Sequence, residues 1–344
     1  MNKAKKQNKA LKWIISLLMV VILAVVAIWP TNYYIEEPGQ ALSVGQFLDG
    51  KGKKPQNFYL VTVSVTRQPA SILQYLWSFT QKFDSRISSS ELLGDQSNSQ
   101  YEELQNWYME TSQQNAVYCA AKKAGLKPKL KYQGVYVMDI QKTSSFKNKL
   151  QIGDTVLGAN GQNFKSTEEM ISYLQKQKIG SKVKITVLRN NQKQSFTGKI
   201  VKVAGTKHAG IGIQLVERVS VETKPKLKIS AGDIGGPSAG LMFTLTSYEY
   251  FTHHDLAKGH KIAGTGTIAP NGKVGIIGGV DKKVVAADKA RAEVFFAPTD
   301  STGVKKSQTN YEVAKKTAKQ INTKMKIVPV DNFDDALKYL KTHY

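Results

Sequence analysis

The sequence predicts an α+β fold of two domains behind a single N-terminal apolar helix. Three observations carry this expectation. The stretch from Trp13 to Trp29 holds no charge and only Ser16 as a polar member. About 315 of the 344 residues follow it, enough for two domains of ordinary size. Through them, period-two alternation and 3.6-residue periodicity take turns, an order that argues for an α+β or α/β sandwich.

The first element is the apolar run. As a helix it spans roughly 25 Å, the short end for a bilayer core of about 30 Å. Trp13 and Trp29 flank it, and Lys3, Lys5, Lys6, Lys9 and Lys12 precede it. By the positive-inside rule, residues 1–12 form a cytoplasmic basic tail, residues 13–29 a transmembrane helix, and everything after Pro30 lies outside the cell. A cleaved signal peptide competes with this reading, since Val25-Val26-Ala27 is an acceptable cleavage site. An uncleaved anchor is favoured because the apolar run continues through that site into Ile28-Trp29. The single cysteine, Cys119, excludes an internal disulfide, so the exported fold relies on its core.

The formal charge is +23, and setting aside the five anchor-flanking lysines still leaves +18. Such a surface attracts anionic cell-wall polymers, lipid headgroups or acidic peptides. Nucleic acid is not expected, because the lysines are scattered and no binding motif or aromatic-interleaved patch accompanies them.

Residues 30–114 are expected to hold a strand at 58–66 (Phe58 to Thr66), helices over Ser71–Phe83 and Tyr101–Ala124, and a polar loop between Ser88 and Gln100. In the middle block, residues 115–203, Gln133 to Ile140 reads as a glycine-preceded edge strand and Leu150 to Gly161 as a strand–turn pair. A helix over Thr167–Gln177 follows, capped by Ser166 with Glu168 and Glu169 in its first turn and Met170, Ile171 and Leu174 on one face. Val183–Arg189 alternates as a strand and turns at Asn190-Asn191. Residues 204–344 resume with strand-like Gly210–Leu215. They continue with an apolar helix opening near Ser238, a second helix after Gly278-Gly279, strands Val294–Pro298 and Lys326–Val330, and a helix over Asn332–Leu340. The two helices opening near 238 and 280 are expected on one side of the sheet.

Ser238 and Lys283 are the candidate chemical residues. A serine hydroxyl is a poor nucleophile until a base removes its proton, and an amine can do so only when uncharged. A free lysine, with a pKa near 10.4, is almost fully protonated at neutral pH. Burial and the positive end of a helix dipole both lower that value. Lys283 fits, with Val280, Val284, Ala286, Ala287 and Ala290 around it and a helix start marked by two glycines. Ser238 stands in Asp233-Ile234-Gly235-Gly236-Pro237-Ser238-Ala239-Gly240, where glycines admit substrate. The backbone around Gly236, Pro237 and Ala239, at a helix start, is expected to receive an oxyanion. The same string also fits a Gly-x-Ser-x-Gly nucleophile elbow.

The two segments together resemble the proteolytic domain of the Lon family. That family pairs a Gly-Pro-Ser-Ala-Gly loop with Thr-Gly-x(7)-Val-x-x-Ile-Gly-Gly-x-x-x-Lys-x-x-Ala-Ala. Here Thr265-Gly266 is followed at matching spacing by Val274, Ile277-Gly278-Gly279, Lys283 and Ala286-Ala287. The resemblance implies Ser238 and Lys283, not Lys282, as a catalytic dyad that needs no cofactor or metal, and Thr265 as the residue that positions the lysine. Two acids common in the family are replaced by Gly235 and Thr267, and Asp233 is the candidate to stand in for the first. Lon proteases proper carry an ATPase module, yet no Gly-x-x-x-x-Gly-Lys-Ser/Thr string occurs in this sequence. Substrates are therefore expected to be short or already unfolded.

The middle block resembles a bacterial PDZ domain, most specifically at Ile152-Gly153-Asp154-Thr155-Val156-Leu157-Gly158-Ala159-Asn160-Gly161. This implies a peptide groove between the strand at 135–140 and the helix bearing Met170 and Leu174, with the backbone of Gln133, Gly134, Val135 and Tyr136 capping a substrate carboxylate. The whole arrangement, with PDZ inserted into a Lon-type domain and Tyr33 to Gly39 just after the anchor, is similar to the membrane-anchored Lon-like PDZ proteases of Gram-positive bacteria. That family cleaves small secreted or membrane-exposed peptides and proteins. Lon-type domains often assemble into rings, so a homo-oligomer is a further implied partner. Two alternatives stay open: an α/β-hydrolase esterase, which would need one of the histidines, and a non-catalytic PDZ scaffold.

Overall fold

The computed structural model describes residues 2–344, apart from the side chains of residues 2–12, 22 and 23. The first helix, α1 (Asn2–Ile28), contains the apolar run as far as Ile28, and its described apolar side chains other than Ala27 are exposed, Trp13 at 77 % and Ile28 at 71 %. The side chains of the expected basic tail, and those of residues 22 and 23 in the expected span, lie outside this description. Among the described residues no helix is long and apolar enough to cross a membrane.

Beyond α1 the chain forms β1 (Tyr33–Ser43), β2 (Leu48–Gly50), β3 (Phe58–Val65), α2 (Ile72–Trp77), β4 (Ser85–Ser88), α3 (Ser89–Leu93) and α4 (Asn98–Lys123). The polar loop expected over Ser88–Gln100 is instead structured, because its serines act as helix caps. Ser88 accepts from the Glu91 N–H, and Ser97 forms a reciprocal capping box with Gln100.

The middle block is a sheet built from β5 (Lys129–Ile140), β6 (Thr155–Ala159), β7 (Gln162–Asn163), β8 (Lys182–Arg189), β9 (Gln192–Lys199) and, after the ribbon of β10 (Val201–Lys202) and β11 (Ala209–Gly210), β12 (Ile213–Glu222). Helix α5 (Thr167–Gln175) covers it, burying Met170 and Leu174 against Val135, Val137, Val156, Ile185 and Val187. The strand order is β12-β5-β6-β8-β9. Two expected boundaries therefore move. Residue 115 lies inside α4, and the sheet runs past 203 to Glu222 because β12 completes it.

The last part supplies β13 (Leu227–Ile229), α6 (Gly240–Thr252), β14 (Ile262–Gly264), β15 (Thr267–Ile268), β16 (Val274–Gly275), α7 (Val280–Lys289), β17 (Val294–Pro298), α8 (Asn310–Gln320), β18 (Lys326–Val330) and α9 (Phe333–His343). The main sheet has the order β18-β17-β14-β3-β1-β4 and joins strands from both sides of the middle block: β14 lies parallel to β3, with Ile262 opposite Phe58. Strand residues alternate between faces, so neighbours serve different cores. Phe58, Leu60, Ile262 and Phe296 pack with α6, whereas Val61, Ala263, Phe295 and Ala297 pack with α7. The helices at 240 and 280 thus cover opposite faces of the sheet rather than one side, a correction the period-two pattern explains.

Candidate active site

Two helices on opposite faces can share a site only at an end of the sheet, and β14 provides one. It is a three-residue strand, and its continuation, Thr265-Gly266, passes between Ser238 and Lys283. The Gly266 N–H donates to the Ser238 carbonyl at 2.8 Å, and the Thr265 hydroxyl donates to the same carbonyl at 3.1 Å. This is the crevice beyond the carboxyl ends of parallel strands, where open sheets place their ligands.

Ser238 lies two residues before α6, whose residues Gly240 to Phe251 are all buried. Gly240 is required there, since a β-carbon would come within 2.7 Å of the Ile268 backbone nitrogen. Helix α4 clamps the loop from outside. The Gly236 N–H donates to the Gln105 carbonyl at 2.9 Å, and the Ser112 hydroxyl donates to the Pro237 carbonyl at 2.9 Å. Neither Gln105 nor Ser112 was marked by any motif; only their place on an expected helix was visible.

Lys283 sits in the second turn of α7, its N–H bonded to the Gly279 carbonyl. Gly279 caps the helix in the left-handed region, φ 63°, against Val63 and Glu36, a conformation that favours glycine. The lysine side chain is 3 % exposed. Its Nζ lies 2.7 Å from Ser238 Oγ and 3.3 Å from Thr265 Oγ1. Because the Thr265 hydroxyl donates to the Ser238 carbonyl, its lone pairs face the amine. Burial lowers the lysine pKa from its ordinary 10.5 to about 7, while the Glu36 carboxylate pulls it upward.

Among the expected oxyanion groups only Ala239 retains a free donor. Pro237 has no N–H, and that of Gly236 is committed to Gln105. The N–H groups of Ser238 itself and of Ala239 donate to nothing among the described residues. Asp233 is exposed and touches neither Ser238 nor Lys283, so it does not replace the missing acid. The acid nearest in effect is Glu36 of β1. It pairs with Lys282 at 3.2 Å, and Lys282 also reaches Asp281 and donates to Ser85 Oγ at 2.8 Å. Glu36 falls within the Tyr33 to Gly39 segment, the one sequence signal for it.

No histidine approaches Ser238, whose side chain bonds only to Lys283 among the described residues. His260 pairs with Glu293, and His253 ends α6 in a left-handed conformation. Nor is Ser238 on a strand-to-helix elbow, since β13 ends well upstream and a loop intervenes. Both findings count against the esterase alternative.

The expected peptide-capping strand is also corrected. Gln133 to Tyr136 lie on β5, which is interior: Val135 and Tyr136 are paired with Glu217 and Val216 on one side and with Val156 and Thr155 on the other. No peptide can add there. The two outer strands of this sheet are β9 and β12, and β12 is entered through Gly210-Ile211-Gly212. Gly212 adopts φ 68°, and the N–H groups of Ile211 and Gly212 donate to nothing among the described residues. The glycine spacing of that loop was the overlooked signal; Met170 and Leu174 are core residues of this domain.

No curated protein matches the chain. Among solved structures it is similar to the PDZ domain of the SdrC-like protein from Listeria monocytogenes, at 33 % identity over 26 % of this chain and 93 % of that one, with a TM-score of 0.24. It is also similar to the PDZ domain of the SdrC-like protein from Listeria innocua, at 30 % identity over 25 % and 97 %, with a TM-score of 0.24. Residues 122–200 match the family model of the PDZ domain, and residues 229–342 match that of the Lon protease (S16) C-terminal proteolytic domain. The chain therefore carries a PDZ domain followed by the proteolytic domain of a Lon-type (S16) serine peptidase.

Proposed function

We propose that the protein is an ATP-independent, membrane-anchored endopeptidase using a Ser238–Lys283 dyad. The observation that carries this reading is the 2.7 Å approach of a buried, pKa-depressed amine to the Ser238 hydroxyl. Neutral Lys283 takes the proton from Ser238 Oγ as that oxygen attacks the scissile carbonyl. The N–H groups of Ser238 and Ala239 receive the negative oxygen. The lysine ammonium then protonates the departing amine, leaving an acyl-serine and a neutral lysine ready to activate water. Thr265 holds the amine in line throughout.

The absence of a P-loop string supports substrates that are short, extended or already unfolded. The exposed apolar surface of α1, with Trp13 and Trp29 at its ends and lysines before it, supports a single span with the peptidase outside the cell. Substrate capture is assigned to the free edge of β12 beside α5, where added main-chain pairing and the Ile211 and Gly212 N–H groups hold a peptide end. Tethering a weak capture site to the dyad raises local substrate concentration. The test is digestion of unfolded casein without ATP by wild type, Ser238→Ala and Lys283→Ala. Fragments from wild type alone support the reading; fragments from either variant at the wild-type rate sink it.

A further inference from the structure

Helix α2 has the sequence Ile72-Leu-Gln-Tyr-Leu-Trp77, and none of its residues is buried. Leu73, Leu76, Trp77 and, one turn on, Phe79 are 60, 59, 64 and 59 % exposed. Water is a poor environment for four large apolar side chains clustered on one short element. We propose that this patch dips into the outer face of the lipid bilayer as a second membrane contact, an inference that rests on the reading of α1 as a membrane span.

The patch is built onto the exit of α1. The Ile72 N–H donates to the Trp29 carbonyl at 3.0 Å, Pro30 bridges to Ser71, and the Thr31 N–H donates to the Ala70 carbonyl at 2.8 Å. These bonds hold α2 at the level where α1 leaves the membrane. The residues gathered there match that level: Trp29 and Trp77, with Tyr75 packed on Tyr33 at 5.0 Å and on Phe79 at 5.3 Å, form an aromatic belt suited to the interface. Cations flank it. The Arg86 guanidinium lies 4.1 Å from the Phe79 ring and donates to the Ser78 carbonyl, Lys82 lies over Phe83, and Arg67 is exposed. Such groups reach anionic phosphates while their neighbours sit among acyl chains. The same segment continues into Ser85, which holds Lys282 beside the dyad, so bilayer and catalytic centre lie at two ends of one short stretch.

The test uses the full chain in vesicles of phosphatidylcholine and phosphatidylglycerol, with and without acyl chains brominated near the headgroup. Tryptophan fluorescence is compared for wild type, Trp29→Phe, Trp77→Phe and Trp107→Phe, each a mild change. The expected result is that bromine quenches the Trp77 component about two-fold or more, as it does that of Trp29, and spares Trp107, which is half-buried on α4. A Trp77 component that bromine spares while Trp29 is quenched overturns the contact and leaves the span standing. If Trp29 is spared as well, the span fails and the contact with it. A Trp77 component shielded from both bromine and aqueous iodide puts a second copy over the patch and equally overturns the proposal.

Discussion

Lys282 and Lys283 are adjacent on α7 and equally buried, at 2 and 3 % exposed, yet their surroundings are opposites. One helical step turns them about 100° apart. Lys282 points into carboxylates, with Glu36 at 3.2 Å and Asp281 at 3.3 Å, so its burial is offset by ion pairing. Lys283 points to two hydroxyls, Ser238 and Thr265, with no carboxylate within ion-pairing distance. Burial alone thus does not make a base; burial without a matched charge does.

The sharpest way to break this contrast is to remove each amine in turn. Lys283→Met should lower kcat by about 10³-fold or more, because nothing else near Ser238 can take its proton. It should also stabilise the fold. The folded-state pKa of about 7 lies below the ordinary 10.5, so the unfolded chain binds more protons between those values and wild-type stability rises with pH across that window. The stabilising effect of Lys283→Met is therefore largest at pH 7 and below and shrinks toward pH 10.5, on the order of a few kcal/mol overall. Thermal unfolding of both proteins across pH 6–10 measures it. The wild-type kcat/KM should climb with pH through about 7 as the amine loses its proton.

Lys282→Met should do the reverse. It leaves Glu36 and Asp281 without their shared partner in a crowded place and costs about 2–4 kcal/mol of stability. Denaturant unfolding would show it, while activity under conditions where the variant is folded falls less than about ten-fold. A Lys282 variant as inactive as Lys283→Met would show that the two environments do not divide the labour as described.

The sequence disclosed Lys283 because its signal is local: two glycines, a helix start and apolar neighbours. It disclosed Ser238 for the same reason. Glu36 lies about 250 residues from Lys283, and only the pairing of β1 with β3, together with the packing of α7 over both, brings them together. The face each helix covers is not legible in the sequence because strand residues 58–61 are apolar on both sides, which erases the in–out alternation of a half-exposed strand. The interior position of Gln133 to Tyr136 is hidden for a related reason. A glycine-led apolar strand has the same pattern whether its neighbour is a peptide or β12, and strand order is a non-local property. By contrast β17, β18 and the cap at Ser166 were legible, since each is a short run bounded by its own signals.

Thr265→Val tests the hydroxyl side of the contrast. Valine keeps the shape but neither accepts from the amine nor donates to the Ser238 carbonyl, so kcat should fall about ten-fold with little change in KM. Thr265→Ser, which restores the hydroxyl, should recover most of the loss. Failure of serine to do so would assign the effect to packing beneath the nucleophile rather than to the hydrogen bonds.

The smallest expected effect is the most discriminating. Glu36 is the one carboxylate that acts on both lysines: it pairs with Lys282 and raises the pKa of Lys283. Glu36→Gln removes the charge and keeps an amide oxygen for Lys282. With that upward pull gone, the Lys283 amine gives up its proton more easily, and the acid limb of kcat/KM moves to lower pH. Activity at pH 6 then rises by a few-fold relative to the plateau, while the plateau above pH 9 stays close to wild type. A pH–rate profile separates this from a structural effect, because loosening the Lys282 pair lowers the plateau without moving the limb. A limb that stays in place would confine Glu36 to Lys282 and make the two lysine environments independent.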